Sequence, residues 1–350
     1  MENKIIEADF NEILKCDIPF EKFKNRTFFV TGATGLVGSL IIKFLLFLNK
    51  KGLNINIVGL IRNEKKAKQI YKNYDDKHLS FYIHDLGKGA INYDKNIDYI
   101  VHGAAITQSR LMIEKPVETI MLSVDGTNEI LDLAVKKDIK SMVYISSMEV
   151  YGQLNSNDKI TEESLGKLSL TNIRSGYPES KRLCENLCTA YASEFGLNVS
   201  SARLAQTFGA GILPSEKRVF AQFARSVIKG EDIVLHTLGN SEGNYIYTSD
   251  MIKAILTLLL YGESGQAYNV TNEENHLTIK QMAELVVKKF GNKRTSVKIE
   301  IPKENMGYAP DVKMWLSNEK LRNLANGIWS PTVNLVEMYN RLINYLKLTE

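Results

Sequence analysis

The sequence predicts an α/β protein: a doubly wound parallel sheet with a smaller C-terminal α/β lobe. Three observations carry that reading. An apolar, β-prone run, Phe28-Phe29-Val30-Thr31, ends in the turn Gly32-Ala33-Thr34-Gly35-Leu36-Val37-Gly38, and an apolar helical run, Leu40 to Leu48, follows at once. Further short β-prone runs then alternate with helical patterns, at a spacing that calls for parallel strands joined by crossover helices. Finally, 350 residues that are 44% hydrophobic and 24% charged can bury a large core, as one large domain or two unequal ones.

Strand, glycine turn and helix in that order form the arrangement that seats a dinucleotide. Gly32 permits a tight turn, Gly35 lets the backbone approach a pyrophosphate, and Gly38 brings the helix close to the strand. The helix N-terminus then faces the phosphate charge. The backbone at Thr34, Leu36 and Val37 completes the expected contact. The spacing is GxxGxxG, and position between strand and helix, not the glycines alone, gives it meaning.

Residues 1–25 form an extension, where Ile5, Phe10, Ile13 and Leu14 predict a short helix lying against the main domain. A nucleotide-binding unit is expected over 26–209, completed by about 244–270, with a second lobe from 210–243 and 271–350. Its first strand covers 27–31 and its second Asn54 to Ile61, ending at Arg62-Asn63. An acidic residue there suits the ribose hydroxyls and an arginine suits a 2′-phosphate. Arg62 therefore favours NADP(H) over NAD(H), which stays possible; the competing reading is an exposed arginine in a loop with Lys65, Lys66 and Lys68. Leu79 to Ile83 and Asp98 to Val101 are the next strands. His102-Gly103-Ala104-Ala105 follows, with small residues where a backbone must pass close to the cofactor. His102 in isolation is a metal or acid–base candidate, but its place at a strand end predicts a packed, hydrogen-bonded ring. Pro116 to Lys137 is helical, Met142 to Ser147 is the fifth strand, and Val219 to Lys229 and Leu277 to Phe290 are helices of the second lobe.

Chemistry is expected where the fifth strand ends, because open α/β sheets bind ligands at the carboxyl ends of their strands. Ser147 and Glu149 leave that strand. Tyr177 and Lys181, four residues apart on a predicted helix, share one face. An ammonium beside a phenol stabilises tyrosinate, so Lys181 is expected to lower Tyr177 toward neutrality and fit it for proton transfer. Ser147 would hydrogen-bond the reacting oxygen, and Lys181 would also hold the nicotinamide ribose. Glu149 is a proton-transfer or hydroxyl-orienting candidate, against the plainer reading of a carboxylate merely positioned by its neighbours.

A net charge of +4, dispersed along the chain, gives no reason to expect nucleic acid. Three cysteines rule out a disulfide framework; Cys184 and Cys188 share a helix face with no histidine near, as buried thiols do, and no metal is expected. Acidic residues interrupt the N-terminus, and Leu36 to Leu48 is too short to span a bilayer, so no membrane partner and a cytoplasmic location are expected.

Taken together, these residues resemble the extended short-chain dehydrogenase/reductase family, in its nucleotide-sugar epimerase/dehydratase branch. The resemblance runs from about residue 26 to the C-terminus. It takes in the glycine turn, Asp85-Leu86, His102 to Ala105, Gly126-Thr127, Ser146 to Gly152, Tyr177 with Lys181, Arg203 to Gly211 and Tyr247-Thr248-Ser249-Asp250. The segment Arg174 to Arg182 is similar to that of UDP-glucuronate decarboxylases. The resemblance implies a Rossmann-type cofactor domain, adenine contacts at Asp85 and Leu86, and a sugar nucleotide or sugar phosphate bound by the smaller lobe. It also implies a homodimer formed through two helices, one carrying Tyr177 and Lys181, and work in surface-polysaccharide sugar synthesis.

Departures from the family pattern touch the substrate. The 4,6-dehydratases follow their serine or threonine with Asp-Glu; here Met148-Glu149 stands, and methionine cannot protonate a leaving hydroxyl. Ser123 and Gln206 stand where asparagine is common, and Gly243-Asn244 where arginine often meets a diphosphate. Lys217 and Arg218 are candidate phosphate partners; Thr107, Ser147, Met148 and Gln206 are the other expected substrate contacts. The segment around Trp315 resembles the family's closing turn; Trp315 is a candidate to line the substrate cleft, with packing as its default role. Arg62 and the missing acid point to an NADP(H)-dependent keto-sugar reductase. The alternative is a redox-neutral epimerase, decarboxylase or 4,6-dehydratase that retains NAD(P). A non-catalytic NADP-binding regulator is a third reading, which the intact Ser147, Tyr177 and Lys181 disfavour.

Overall fold

A computed structural model describes residues 3–74, 77–154, 158–302 and 311–350. In chain order the first half comprises α1 (Lys4–Ile13), β1 (Thr27–Thr31), α2 (Leu36–Asn49), β2 (Asn56–Ile61), α3 (Glu64–Ile70), β3 (Leu79–Ile83), β4 (Tyr99–His102), α4 (Ser109–Glu114), α5 (Pro116–Lys136), β5 (Ser141–Ser147), α6 (Gly176–Phe195) and β6 (Val199–Leu204). The remainder comprises β7 (Gln206–Phe208), α7 (Val219–Lys229), β8 (Ile233–Leu235), β9 (Glu242–Tyr247), α8 (Thr248–Tyr261), β10 (Ala267–Val270), β11 (Asn272–Thr278), α9 (Ile279–Phe290), β12 (Val297–Ile299), α10 (Glu319–Asn323) and α11 (Leu335–Thr349).

The boundaries differ from expectation for local reasons. Asn54 has φ 53°, in the left-handed region, so it closes a turn and β2 starts at Asn56. The turn after β1 is complete at Gly35, the N-cap of α2, so that helix begins at Leu36 instead of Leu40. Leu277 and Thr278 pair with β9, and Thr278 forms a capping box with Gln281, which moves the start of α9 to Ile279.

The main sheet has seven strands in the order β10-β6-β5-β4-β1-β2-β3, every neighbour parallel. Its central strands β1, β2 and β4 are buried on both faces, which is why they read as apolar runs, whereas the edge strand β3 leaves Ser80 and Ile83 exposed. Phe28 and Val30 join one core with Phe44, Leu45 and Ile255, from α2 and α8, while Phe29 joins the other with Ile130, Leu131 and Cys184, from α5 and α6. That split follows the two-residue period of a strand. From β1 the chain winds outward to β3, then returns to β4 on the other side. The strand order therefore reverses between β1 and β4, and the crevice over their carboxyl ends is where such sheets take ligands.

Two glycines make the first turn possible. Gly32 has φ 65°, and a Cβ there would lie 2.7 Å from the Gly103 carbonyl oxygen. A Cβ on Gly38 would lie 2.5 Å from the Gly32 carbonyl oxygen, so α2 could not sit this close to β1.

Strand β7 leaves the main sheet to join β9 and β11 in a three-stranded sheet, and β8 pairs with β12. A separate core fills this region, in which Phe208 stacks on Phe220 with centroids 4.4 Å apart. The N-terminal helix does more than lie alongside. The buried Asp9 carboxylate accepts from Tyr247 Oη and Arg341 Nη1, both at 2.7 Å, tying α1 to β9 and α11. Burial pushes Asp9 up to about 6 against those two hydrogen bonds.

The C-terminal segment is fastened by Asp250 on α8. Its fully buried carboxylate accepts from Thr332 N at 3.0 Å, Thr332 Oγ1 at 3.1 Å and Val333 N at 3.0 Å, and pairs with Lys253 Nζ at 2.7 Å. Removing it leaves the buried Lys253 ammonium without its counter-charge, on Ser330 O and Thr332 Oγ1 alone, and unpairs the Thr332 and Val333 donors. Asp250→Ala should therefore cost about 3–5 kcal/mol, measured by urea unfolding; a loss under about 1 kcal/mol would contradict this role.

Candidate active site

The glycine turn presents the N-terminus of α2 to the crevice. The first-turn N–H groups of a helix have no partner within it. No side chain caps α2, no acidic residue sits in its first turn, and Ser39 N, bonded to Gly35 O at 3.0 Å, is beyond the open groups of Leu36, Val37 and Gly38. With no Cβ at Gly32 and Gly35 to fill the turn, this cradle fits a pyrophosphate.

Thr31 and His102 end β1 and β4 in register. Thr31 Oγ1 accepts from Gly103 N and Ala104 N, both at 3.1 Å, and lies 2.7 Å from His102 Nδ1. Its proton is therefore donated to Nδ1, which makes Nε2 the protonated nitrogen, donating to Thr127 Oγ1 at 3.1 Å. Burial, with the Lys181 charge adding, pushes His102 down to about 3. It is a neutral structural ring that ties β1 to α5. Ala104 and Ala105 are half-buried beside it, and Thr107 is exposed further along.

At the other end of the crevice Arg62 faces Asp85 at 3.7 Å, both exposed. Asn63 caps α3 by accepting from Lys66 N at 2.9 Å, so its amide oxygen has a structural partner. Leu86 is buried in the core between α5 and the sheet.

Tyr177 and Lys181, in the first turns of α6, come together with Ser147 at the end of β5. Lys181 is 3% exposed and donates from Nζ to the Ile145 carbonyl at 2.8 Å. Burial pulls it down to about 8. The expectation of a lowered phenol is corrected: Tyr177 is pushed up to about 12 by burial, with the Glu149 charge adding, against a hydrogen bond with Ser147 and the charges of Arg174 and Arg218. Lys181 lies 5.9 Å over the Tyr177 ring, committed to a backbone carbonyl, and desolvation of the phenol wins. Ser147 Oγ also accepts from Glu149 N at 3.2 Å, starting the turn that carries Met148 and Glu149, both half-buried.

Glu149 is ion-paired with Arg174 Nη2 at 2.8 Å. Arg174, which sequence reasoning did not single out as a site residue, sits 5.5 Å over the Tyr177 ring, and its buried Nη1 has no partner. Only the similarity of the Arg174–Arg182 segment to other proteins could have flagged it, because its partner lies far away in sequence. Arg218 chelates Glu216 with Nη2 at 2.7 Å and stacks over Phe220 at 4.8 Å; Lys217 beside it is exposed. Gln206 lies half-buried in β7 opposite Tyr245. Ser123 and Cys184 are buried together, the thiol donating to the Ser123 carbonyl at 3.2 Å. Trp315 stacks on His276 at 5.1 Å, with Lys159 5.1 Å from its ring, yet it stays partly exposed.

Comparison with known proteins decides the family. The model of the NAD dependent epimerase/dehydratase family matches residues 28–271. The chain belongs to this family. UDP-glucuronic acid decarboxylase 1 of Xenopus tropicalis is 25% identical over 325 residues, covering 91% of this chain and 71% of that protein. The dTDP-D-glucose 4,6-dehydratase of Bos taurus is 25% identical over 335 residues, covering 94% and 90%. Among solved structures, UDP-glucose 4-epimerase from Thermotoga maritima with UDP-glucose superposes with TM-score 0.76 at 20% identity, covering 92% of this chain and 99% of that one. UDP-glucuronic acid 4-epimerase from Bacillus cereus, in complex with UDP-glucuronic acid and NAD, superposes with TM-score 0.73 at 19% identity, covering 93% and 100%. This member of the epimerase/dehydratase family thus has the fold of nucleotide-sugar enzymes across almost its whole length, and among its described residues no helix is long and apolar enough to cross a membrane.

The His102 assignment is directly measurable. Nitrogen-15 NMR should find this ring neutral, protonated at Nε2, from pH 8 down to about 5, since its pKa lies below the ordinary value near 6.5. Below that ordinary value the unfolded chain takes up a proton that the folded ring refuses, so the contribution of His102 to stability falls with pH until about 3. Titration of this ring near 6.5 would contradict the buried network.

Proposed function

We propose that this chain is a redox-neutral enzyme acting on a nucleotide-linked sugar: hydride leaves a carbinol carbon, the keto-sugar reacts, and hydride returns with NAD(P) retained. The observation that carries this reading is the Glu149–Arg174 pair beside Tyr177. A net reductase needs one proton delivered to one oxygen per turnover. An epimerase, decarboxylase or dehydratase must also steady or deprotonate the keto-sugar, and a second ionisable group next to the phenol is what that requires. The curated relatives named above, a decarboxylase and a dehydratase, support the same choice.

The cradle at Gly32, Gly35 and the α2 N-terminus would hold the pyrophosphate, and Lys181 the nicotinamide ribose. Bound in its oxidised form, the dinucleotide supplies a hydride acceptor and a positive charge, which favours tyrosinate. Tyr177 then takes the proton of the sugar hydroxyl as its C–H bond breaks and gives it back at the end, with Ser147 donating to the same oxygen. Glu149, oriented by Arg174, moves a proton on the keto-sugar or holds one of its hydroxyls. Lys217 and Arg218, on the loop entering α7, would meet the diphosphate, Arg218 by exchanging its Glu216 partner.

Arg62 at the end of β2 supports NADP(H) in preference to NAD(H), and with Met148 it keeps keto-sugar reduction as a second reading. The exposed apolar side chains Val117 and Met121 of α5 and Leu183 of α6 support a homodimer through these two helices.

The deciding experiment mixes the protein with NAD⁺ or NADP⁺ and UDP-glucose, UDP-glucuronate or dTDP-glucose, following sugar by NMR and cofactor by absorbance. Sugar conversion without net cofactor reduction is expected; stoichiometric consumption of NADPH with a keto-sugar would replace this reading by the reductase. Tyr177→Phe should lower turnover by about 10²–10⁴-fold while leaving dinucleotide affinity intact, and near-normal turnover would remove Tyr177 from the mechanism. Arg62→Ala should weaken NADP⁺ far more than NAD⁺; equal weakening would defeat the 2′-phosphate assignment.

A further inference from the structure

We infer that Tyr144 is a positioning residue for Lys181, in which the face of the ring, not the hydroxyl, holds the buried ammonium charged and in place. The inference deepens the reading in which Lys181 grips the cofactor, but it is tested on Lys181 itself.

Burying an ammonium is costly unless its charge is compensated. Among the described residues, Nζ of Lys181 has one hydrogen-bond acceptor, the Ile145 carbonyl at 2.8 Å. The carboxylate nearest along α6, Glu185, is already claimed, by Arg203 Nη2 at 2.7 Å and by Ser146 Oγ. From α6 the other groups facing Lys181 are Tyr177 and the thiols Cys184 and Cys188, and burial pushes the Cys188 thiol well above its ordinary range. From β4 the facing group is His102, which is neutral. The charge of Glu185 favours the ammonium, but among the described residues no carboxylate is ion-paired with Lys181, which leaves room for a second, uncharged partner.

Tyr144 is that partner. Its ring centroid lies 4.6 Å from Nζ, well inside the range in which an aromatic face attracts a cation. The ring is 1% exposed and its outlook is fixed by β5, with His102 packed on it at 5.7 Å. Desolvated contacts of this kind are the strong ones. The hydroxyl, by contrast, is buried with no nitrogen or oxygen partner among the described residues and meets only the Cys184 thiol, so its oxygen contributes little. Tyr144 also adjoins Ile145, the acceptor of the Lys181 bond, so one short stretch of β5 sets both position and charge.

The test is the titration of Lys181 in lysine-¹⁵N-labelled apoprotein, with its Nζ signal assigned through Lys181→Arg. Tyr144→Phe keeps the face and should titrate where the wild type does. Tyr144→Leu removes the face and should lose its proton about one pH unit lower, the charged form having lost its partner. A Leu variant that titrates with the wild type, or a Phe variant that shifts as far as Leu, would overturn the inference. Where Tyr144→Leu does not fold, mono-, di- and trifluorinated phenylalanine at 144 keep the shape and weaken the ring's negative face step by step. A graded downward shift is expected, and an ungraded series would overturn the proposal. If Lys181 follows the ring series but NAD⁺ fails to bind, the cofactor reading fails and this inference stands.

Discussion

The bond from Lys181 Nζ to the Ile145 carbonyl registers α6 against β5, and the site depends on that register. Tyr177 lies one helical turn before the lysine and Ser147 two residues beyond the carbonyl, so one buried bond places phenol and serine together at the strand ends. The cost is a charged group in the interior. Local aromatic and carbonyl groups offset it, and the same burial that pulls Lys181 down pushes Tyr177 up. In the free protein burial thus keeps the phenol protonated.

Around this pair the two sheets contribute unequally. The main sheet supplies the glycine turn, the His102 network and the serine turn, all on rigid elements. The chain beyond β7 supplies Arg218, ion-paired with Glu216 on the loop entering α7, whose charge already reaches the Tyr177 phenol. The N-terminal helix, which precedes the family match, is stitched through Asp9 to Tyr247, and Tyr247 Oη accepts from Ala210 N at 3.3 Å, where that loop departs. A segment with no motif of its own is therefore part of what fixes the start of that loop.

What could be read in advance follows the range of the interactions. The strand–turn–helix order, the parallel sheet and the pairing of Tyr177 with Lys181 come from local pattern and helical spacing, and they were legible. His102 was legible as a packed ring because it closes a strand amid small residues. The direction of the Tyr177 shift was not, because desolvation depends on what Ile106 and Met112 bring around it. Arg174, Asp9 and Tyr144 act through partners distant in sequence or through a ring face, and no motif marks them. The environment of Glu149 was not legible either, because its ion-pair partner Arg174 lies on another element.

The central claim is that the phenol and ammonium of α6 face a nicotinamide seated over the first strand–helix crossover. An experimental structure of the dinucleotide complex tests it most directly. The account predicts ribose hydroxyls within about 3 Å of Lys181 Nζ and the pyrophosphate on the α2 N-terminus. A ribose placed away from Lys181, or a nicotinamide on the far side of Tyr177 from Ser147, would contradict it.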